Sequence, residues 1–427
     1  MRPGAVTAVV GGDGAGKTSL LWKLAREADP HQLGYQSTES GVWRGLSVAE
    51  NMEFVEGVFG AGQDREEGTL AAAGLNDFRG RVASRLSGGM RQKLGMAMAT
   101  VHSPDLVILD EPTTGVDPVS RVELWQQIRA AADEGATVVL ATTYLDEAEK
   151  ADEVLVLDHH ETIAQGTPAE VMGGHATLED AVVELMGGLP DDEGQTAGAA
   201  SSSIKLTEGD GITRRFGDFT ALEDVSISVR PGEVVGLVGG NGAGKTTLIR
   251  TLLGVDAPTA GSVRLMGGAP ALAARRQVGY VAQGQGLYPT LSARENVEFA
   301  AAAYGVGVSD RAAEFAAQFG RRPVSELPLG TRRILAFLGA TQHDPRLLIL
   351  DEPTSGMDPL GRAKLWRELR ATAAAGVGVL VTTHYMQEAS RCDRLVMLSH
   401  GRVVAEGTLA DVVGDAGSLE QAMYRLR

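Results

Sequence analysis

Short apolar runs alternate along the chain with longer stretches in which apolar residues recur at helical spacing. The short runs are rich in β-branched residues and apolar at nearly every position, which is typical of strands buried on both faces of a sheet. Four of them lie at residues 6–10, 106–109, 234–238 and 347–350. Helical stretches such as 121–132 and 362–375 follow. The alternation predicts an α/β fold with a parallel sheet in each half of the chain.

The two halves are copies of one pattern. RPGAVTAVVGGDGAGKTS at Arg2 matches RPGEVVGLVGGNGAGKTT at Arg230, an offset of 228 residues. LVILDEPTTGVDP at Leu106 matches LLILDEPTSGMDP at Leu347, an offset of 241. Between these motifs the offset reaches 245, so the first copy is 17 residues shorter between its glycine-rich loop and GYQST. Repeats that keep their order over this length indicate a duplication.

The segment between the copies has a different composition. Residues 187–204 are rich in Gly, Ser, Ala and acidic residues and contain few apolar ones. Such a composition is typical of a flexible tether. We therefore predict a first domain at residues 1–186, a linker at 187–204 and a second domain at 205–427.

Each copy carries a GxxxxGK[ST] loop directly after an apolar strand, which is the pattern of a P-loop. Its glycines allow backbone N–H groups to face phosphate oxygens, and the helix that follows adds partial positive charge. The lysine reaches the β- and γ-phosphates, and the hydroxyl after it is available to Mg²⁺. The expected nucleotide-binding residues are Gly11, Asp13, Gly14, Gly16, Lys17, Thr18 and Ser19 in the first copy and Gly239, Asn241, Gly242, Gly244, Lys245, Thr246 and Thr247 in the second.

Two acidic residues follow the later apolar strand in each copy. Asp110 and Asp351 end the strands LVILD and LLILD, and an acid at the carboxyl end of a parallel strand faces the ligand crevice. We expect these aspartates to hold Mg²⁺. The next residues, Glu111 and Glu352, are positioned to polarise an attacking water.

Combined with LSGGMRQ at Leu86 and TTHYMQEA at Thr382, these motifs make each half resemble an ATP-binding-cassette nucleotide-binding domain, over almost the whole chain. The resemblance implies two P-loop NTPase domains, each a mainly parallel sheet with flanking helices and a small helical subdomain. It also implies that the two domains pair head to tail, with each ATP between the P-loop of one and the LSGG signature of the other.

The resemblance further implies that the two nucleotide sites differ. Gln283 stands where the family has the glutamine that senses Mg²⁺ and the γ-phosphate, whereas the first copy has Thr38 there. His384 stands at the family's switch histidine, whereas the first copy has Thr143. Phe216 stands at the adenine-stacking aromatic. The first domain is expected to be shortened at its N-terminus, without this segment.

The signature motif shows the opposite asymmetry. The first copy has Ser87, Gly88 and Gly89, whereas the second has Pro328 and Leu329 at the first two of these positions. Proline offers neither a hydroxyl nor an N–H, and leucine carries a side chain where glycine lets backbone approach phosphate. In head-to-tail pairing, Thr38 and Thr143 of the first copy face Pro328 and Leu329 of the second, so all these departures from the family pattern fall on the site of the first P-loop. The complete composite site would comprise Lys245, Gln283, Asp351, Glu352 and His384 with Ser87, Gly88, Gly89 and Asp117.

Composition restricts the partners. The 427-residue chain has a net charge of −16 and one cysteine, 43% of its residues are hydrophobic, and it has no run of about 18 apolar residues. The acidic balance disfavours direct nucleic-acid binding. Resemblance favours a cytoplasmic ATPase subunit of an exporter, bound to the inner face of the plasma membrane through a separate permease. The alternatives are a tandem-cassette translation factor acting on the ribosome, a DNA-repair cassette ATPase, and a first half that is a decayed or mis-started reading frame. We also expect the four tryptophans to be packing residues.

Overall fold

The computed structural model describes residues 2–60, 63–188, 203–383, 386–416 and 419–425. It divides into two compact units. The first contains Met1–Asp191 together with Gly356–Ala363, and the second contains Asp192–Ser355 and Lys364–Arg427. Both contain the α/β architecture expected from the alternation of apolar strands and helices, so the predicted fold class is confirmed.

The first unit is built on one six-stranded sheet with the order β2-β3-β4-β1-β5-β6. The pairings within β2-β3-β4-β1-β5 are parallel, and β6 joins β5 antiparallel. The strands are β1 (Val6–Gly11), β2 (Leu33–Gln36), β3 (Leu106–Asp110), β4 (Thr137–Ala141), β5 (Glu153–Asp158) and β6 (Glu161–Gly166). Val6, Ala8 and Val10 of β1 pack into one hydrophobic core and Val9 into another on the opposite face, which explains why this strand is continuously apolar.

The described helices of the first unit flank this sheet or form a smaller cluster with its own core around Met52, Leu70 and Leu94. They are α1 (Lys17–Glu27), α2 (Val48–Phe59), α3 (Gln63–Ala72), α4 (Gly88–Thr100), α5 (Pro118–Asp133), α6 (Leu145–Ala148), α7 (Pro168–Met172) and α8 (Leu178–Leu185). Ser47 closes the start of α2 with a capping box, since its hydroxyl accepts from Glu50 N and the Glu50 carboxylate accepts from Ser47 N.

The second unit has the same six-stranded order, β11-β12-β13-β9-β14-β15, and in addition a three-stranded antiparallel sheet, β10-β7-β8. Its strands are β7 (Thr207–Phe216), β8 (Phe219–Val229), β9 (Val234–Val238), β10 (Ala260–Leu265), β11 (Val278–Val281), β12 (Leu347–Leu350), β13 (Gly378–Thr383), β14 (Arg394–Ser399) and β15 (Arg402–Gly407). The described part of the first unit has no counterpart of the three-stranded sheet.

Apart from α10, the helices of the second unit follow the same order as the described helices of the first unit. They are α9 (Lys245–Leu252), α10 (Leu272–Arg275), α11 (Ala293–Tyr304), α12 (Asp310–Ala317), α13 (Leu329–Ala340), α14 (Pro359–Ala374), α15 (Met386–Ala389), α16 (Leu409–Val413) and α17 (Leu419–Arg425). The first residues of α14 fall within the segment assigned to the first unit. None of the helices in the described ranges is long and apolar enough to cross a bilayer.

The tryptophan prediction is half right. Trp125 and Trp366 are buried on the helices that follow the two DP turns, as expected. Trp22 and Trp43 are instead about half exposed, at 52% and 43%. The exposed ring of Trp43 lies 4.3 Å from that of Phe54, centroid to centroid, and is tilted by 56° against it, so the two rings pack together at the surface of the small helical cluster.

Candidate nucleotide sites

The second P-loop connects β9 to α9 and is held in a curled form by its own lysine. Lys245 Nζ donates to the carbonyls of Gly239 at 2.7 Å and Gly240 at 3.1 Å. Gly244, immediately before the helix, has φ of 104°, in the left-handed region that favours glycine. The N–H groups of the first helical turn have no acceptor within the helix and lie beside the loop, which is an arrangement suited to phosphate.

The acid at the end of β12 meets the hydroxyl of the P-loop. Thr246 Oγ1 donates to Asp351 Oδ2 at 2.9 Å, and Thr382 Oγ1 on the neighbouring strand donates to Asp351 Oδ1 at 2.8 Å. An adjacent hydroxyl and carboxylate suit Mg²⁺, which keeps phosphate and water oxygens among its ligands. No group of three or more His, Cys, Asp or Glu side chains in the described ranges could hold a metal by itself. Phosphate oxygens of a nucleotide would have to complete such a site.

Glu352 contacts three of the polar side chains around the second P-loop. Its Oε2 accepts from Gln283 Nε2 at 3.0 Å, and its Oε1 lies 3.9 Å from Lys245 Nζ. Its backbone N–H donates to Thr382 Oγ1 at 2.6 Å. The structure thus brings together three of the four residues predicted to be catalytic. The fourth, His384, lies outside the described residues.

The first P-loop repeats two sets of contacts seen in the second, those of its lysine and those between its hydroxyl and the strand-end aspartate. Lys17 Nζ donates to the carbonyls of Gly11 at 2.9 Å and Gly12 at 3.2 Å, and Thr18 Oγ1 donates to Asp110 Oδ2 at 3.0 Å. The two P-loops therefore share the same lysine, hydroxyl and carboxylate geometry. The difference between them lies further along the site.

That difference centres on Glu111. Its Oε2 accepts three hydrogen bonds, from Thr114 Oγ1 at 2.9 Å, Thr143 Oγ1 at 3.2 Å and Thr143 N at 3.3 Å. Thr143 is the residue that stands in the place of the switch histidine. Burial raises the pKa of Glu111 to about 7, although Lys17 and these hydrogen bonds act in the opposite direction. The first unit therefore holds its carboxyl group among local donors, whereas Glu352 contacts glutamine and lysine side chains.

The glutamine of the first unit does not substitute for Gln283. Gln36, two residues before the aligned position, is buried, and its amide donates to the carbonyl of Gln92 at 3.2 Å. Thr38 at the aligned position is exposed, and its carbonyl accepts from Gln92 Nε2 at 3.2 Å. Both residues are thus tied to α4, and neither makes the contact that Gln283 makes.

The two signature helices begin differently. Ser87 caps α4, since its hydroxyl accepts from Met90 N at 3.2 Å. A Cβ on Gly89 would lie 2.7 Å from the Ser120 side chain, so glycine permits the close approach of α4 to α5. Asp117 caps α5 and accepts from Ser120 N at 3.1 Å. In the second unit Pro328 precedes α13 and provides no side-chain cap.

The aromatic residue predicted to stack on adenine lies at the end of a strand. Phe216 ends β7 and is paired with Phe219 across the hairpin. It is 47% exposed, and the Arg214 guanidinium lies 4.5 Å from its ring centroid. The ring is available to a ligand from the three-stranded sheet. That sheet is the element for which the described first unit has no counterpart.

Sequence reasoning missed Thr382. It bonds both Asp351 and the Glu352 backbone, and the aligned residue in the first unit is Ala141, which has no hydroxyl. This difference was visible in the aligned repeats, but nothing in the motif itself indicates that the threonine side chain points at the preceding strand.

Comparison with known proteins agrees with the geometry. The family model described as "ABC transporter" matches residues 1–114 and 222–355. The "Probable multidrug ABC transporter ATP-binding protein YbhF" of Escherichia coli (strain K12) is 32% identical, over 99% of this chain and 91% of its own length. The chain therefore belongs to the ABC transporter ATP-binding family, whose members hydrolyse ATP, and is an ATPase.

Two further similarities differ in their extent and in their sequence identity. The "Nod factor export ATP-binding protein I" of Paraburkholderia xenovorans (strain LB400) is 42% identical, over 47% of this chain and 70% of its own length. The solved structure named "RNase-L Inhibitor" matches 95% of this chain and 87% of its own, with a TM-score of 0.72 and 20% identity. At that identity the second match shows the fold alone.

Proposed function

We propose that this chain is the ATP-hydrolysing subunit of an exporter, in which the second P-loop supports hydrolysis and the first at most holds nucleotide. The observation that carries the proposal is the contrast between the two glutamates. Glu352 contacts Gln283 and Lys245, whereas three hydrogen-bond donors converge on Glu111 Oε2. A general base must be able to orient water and take its proton, and we assign that role to Glu352.

The chemistry follows from the residues of the second unit. Lys245 and the N–H groups of α9 stabilise the charge on the β- and γ-phosphates. Thr246 and Asp351 would hold Mg²⁺, which offsets the charge that develops on the transferred phosphoryl group. Glu352 orients the attacking water and accepts its proton, and Gln283 positions the Glu352 carboxylate. His384 is proposed to contact the γ-phosphate.

We further propose domains at 1–186 and 205–427, joined by the linker at 187–204 and paired head to tail as in other cassette ATPases. In that pairing Ser87, Gly88 and Gly89 would close on the nucleotide of the second P-loop. Two differences between the signature helices support this choice. Ser87 offers a hydroxyl at a capped helix start, whereas Pro328 offers neither a hydroxyl nor an N–H.

The proposed partner is a separate membrane-spanning permease, which would hold the chain at the inner face of the membrane. Each unit presents a matched pair of surface aromatics beside its small helical cluster. Trp43 and Phe54 have ring centroids 4.3 Å apart in the first unit, and Tyr288 and Phe299 are 4.7 Å apart in the second. All four are more than 40% exposed. Partly exposed aromatics are typical anchors of protein interfaces.

Steady-state ATPase measurements test the site assignment. Loss of a general base costs about 10²–10⁴ in rate, so Glu352→Gln should nearly abolish hydrolysis. Glu111→Gln is the matched control, at the same strand end of the other unit, and should retain activity within about twofold. Equal losses from the two substitutions would refute the proposal.

A ribosome-acting factor remains the second candidate, since the RNase-L Inhibitor likeness extends over 95% of the chain. That likeness shows a shared fold and no more, and the net charge of −16 would disfavour binding to ribosomal RNA. Fractionation of cells separates the two functions. Recovery with membranes and a polytopic protein supports the exporter, whereas cosedimentation with ribosomes supports the alternative.

A further inference from the structure

The turn between β5 and β6 differs from its counterpart in the second unit at one residue. His159 and His160 form the turn in the first unit, and His400 and Gly401 form it between β14 and β15. The backbone is the same in both. His160 has φ of 68° and Gly401 has φ of 77°, in the left-handed region that favours glycine. Positive φ at this position is required by a two-residue hairpin turn, so the turn alone does not explain why a histidine stands in the first unit and a glycine in the second.

Both turns also attach to their P-loop by the same hydrogen bond. The N–H of His160 donates to the carbonyl of Ala15 at 3.1 Å, and that of Gly401 donates to the carbonyl of Ala243 at 3.1 Å. The two residues are therefore structurally equivalent, one beside each P-loop. What differs is the group that packs on the glycine before the P-loop lysine.

In the second unit the three-stranded sheet supplies that group. A Cβ on Gly244 would lie 2.8 Å from the Ala221 carbonyl oxygen and 2.8 Å from Leu222 Cδ2, both in β8. The same strand excludes a side chain at Gly401, where a Cβ would lie 2.6 Å from the Ala221 carbonyl oxygen. Glycine at position 401 is thus the condition for β8 to lie against the P-loop, close to the hairpin that carries Phe216.

In the first unit the imidazole of His160 occupies the corresponding place. A Cβ on Gly16 would lie 2.7 Å from His160 Nδ1, so the edge of the ring touches the P-loop. A strand placed as β8 is would collide with this side chain. The rest of His160 is exposed and is therefore accessible to a ligand that enters the loop.

We propose that His160 is a nucleotide-binding residue of the first site, whose ring contacts the nucleoside part of an adenine nucleotide held by the first P-loop. It supplies the wall that the three-stranded sheet supplies in the second unit. This inference rests on the proposal that the first P-loop holds nucleotide. A flat conjugated ring is suited to the role because it can stack on a base regardless of the base's polar edge.

Calorimetry on the full chain tests the proposal, with Lys245→Ala included in every variant to silence the second P-loop. The two titrants are ADP and pyrophosphate, each with Mg²⁺, since pyrophosphate has the phosphates without the nucleoside. His160→Ala should weaken ADP about tenfold, the size expected when one stacked ring is lost, and leave pyrophosphate within about twofold. His160→Phe should restore ADP binding. His159→Ala, which alters the neighbouring exposed ring, is the matched control and should bind both titrants normally.

Each other outcome overturns the assignment. Unchanged ADP affinity in His160→Ala would show that the ring makes no contact. Equal weakening of ADP and pyrophosphate would show that His160 only shapes the P-loop. Absence of any binding in the Lys245→Ala parent would remove both this inference and the nucleotide-holding role of the first site. The hydrolysis assignment would survive that last result, since it depends on the Glu352 and Glu111 comparison.

Discussion

Glu111→Gln should make the first unit more stable at alkaline pH. Burial raises the pKa of Glu111 to about 7 from an ordinary value of 4.5. Between these pH values the unfolded chain loses the Glu111 proton while the folded unit keeps it. The folded state then binds more protons, so stability falls as pH rises through this window and levels off above pH 7. A neutral glutamine has no charge to desolvate and can still accept from Thr114 and Thr143.

The magnitude follows from the shift. One pKa unit corresponds to about 1.4 kcal/mol, so a rise from 4.5 to about 7 amounts to at most ~3.5 kcal/mol. Glu111 retains partial solvent exposure, which reduces this to about 2 kcal/mol. The gain should be full at pH 8 and close to zero at pH 4.5. The negative charge of Glu147, another buried carboxyl of this unit, also raises the pKa of Glu111, so relief of this repulsion is part of the expected gain.

Hydrogen exchange measures the stability of each unit separately, whereas a single melting curve of a two-domain chain does not. After correction for intrinsic exchange rates, the slowest amides of β1, β3 and β4 should exchange about 30-fold more slowly in Glu111→Gln than in the wild type at pH 8. Glu352→Gln is the matched control. It removes a group that Gln283 and Lys245 contact, so it should not slow exchange in the second unit. Equal protection of wild type and Glu111→Gln at pH 8 would refute the burial argument.

Three further substitutions test the assignment of the second site. Thr382→Ala removes the hydroxyl that bonds Asp351 and the Glu352 backbone. It should lower kcat about tenfold and raise the Mg²⁺ concentration needed for half-maximal ATPase activity. An unchanged magnesium dependence would contradict the role given to Thr382. Ser87→Ala should lower the ATPase rate at least tenfold and, because the helix cap is lost, reduce the stability measured by thermal unfolding by about 1 kcal/mol. Pro328→Ser should leave the ATPase rate within about twofold. Equal effects of these last two changes would contradict the proposed head-to-tail assignment.

The parts of the site that sequence could predict are those fixed by local geometry. The P-loops, with Lys17 and Lys245, follow from glycines at a set spacing after a buried strand. The pairing of Thr246 with Asp351 follows because parallel strands end at one edge of the sheet. These contacts need no knowledge of what packs around the loop, so the sequence pattern is sufficient to specify them.

The rest depends on neighbours that no motif specifies. Thr143 was identified only as the residue that replaces a histidine, and its two bonds to Glu111 arise because adjacent strands place them side by side. His160 lies far along the chain from Gly16 and gave no sequence signal of its own. The signal was the difference between His160 and Gly401 in the aligned repeats. It acquires meaning only when the Ala221 carbonyl is seen to fill the space beside Gly401.

Taken alone, the raised pKa of Glu111 would favour catalysis, since a carboxylate titrating near neutrality is a better proton acceptor than an ordinary glutamate. The geometry decides against this. Three donors already occupy Glu111 Oε2, and the burial that raises the pKa also favours the protonated form, which cannot act as a base. In the second unit the corresponding carboxylate contacts the lysine of the P-loop and a glutamine, groups that also reach toward phosphate. Under the proposed assignment, the perturbed pKa belongs to the site that does not hydrolyse ATP, and the contacts of the carboxylate, more than its pKa, would distinguish a nucleotide-holding site from a hydrolytic one.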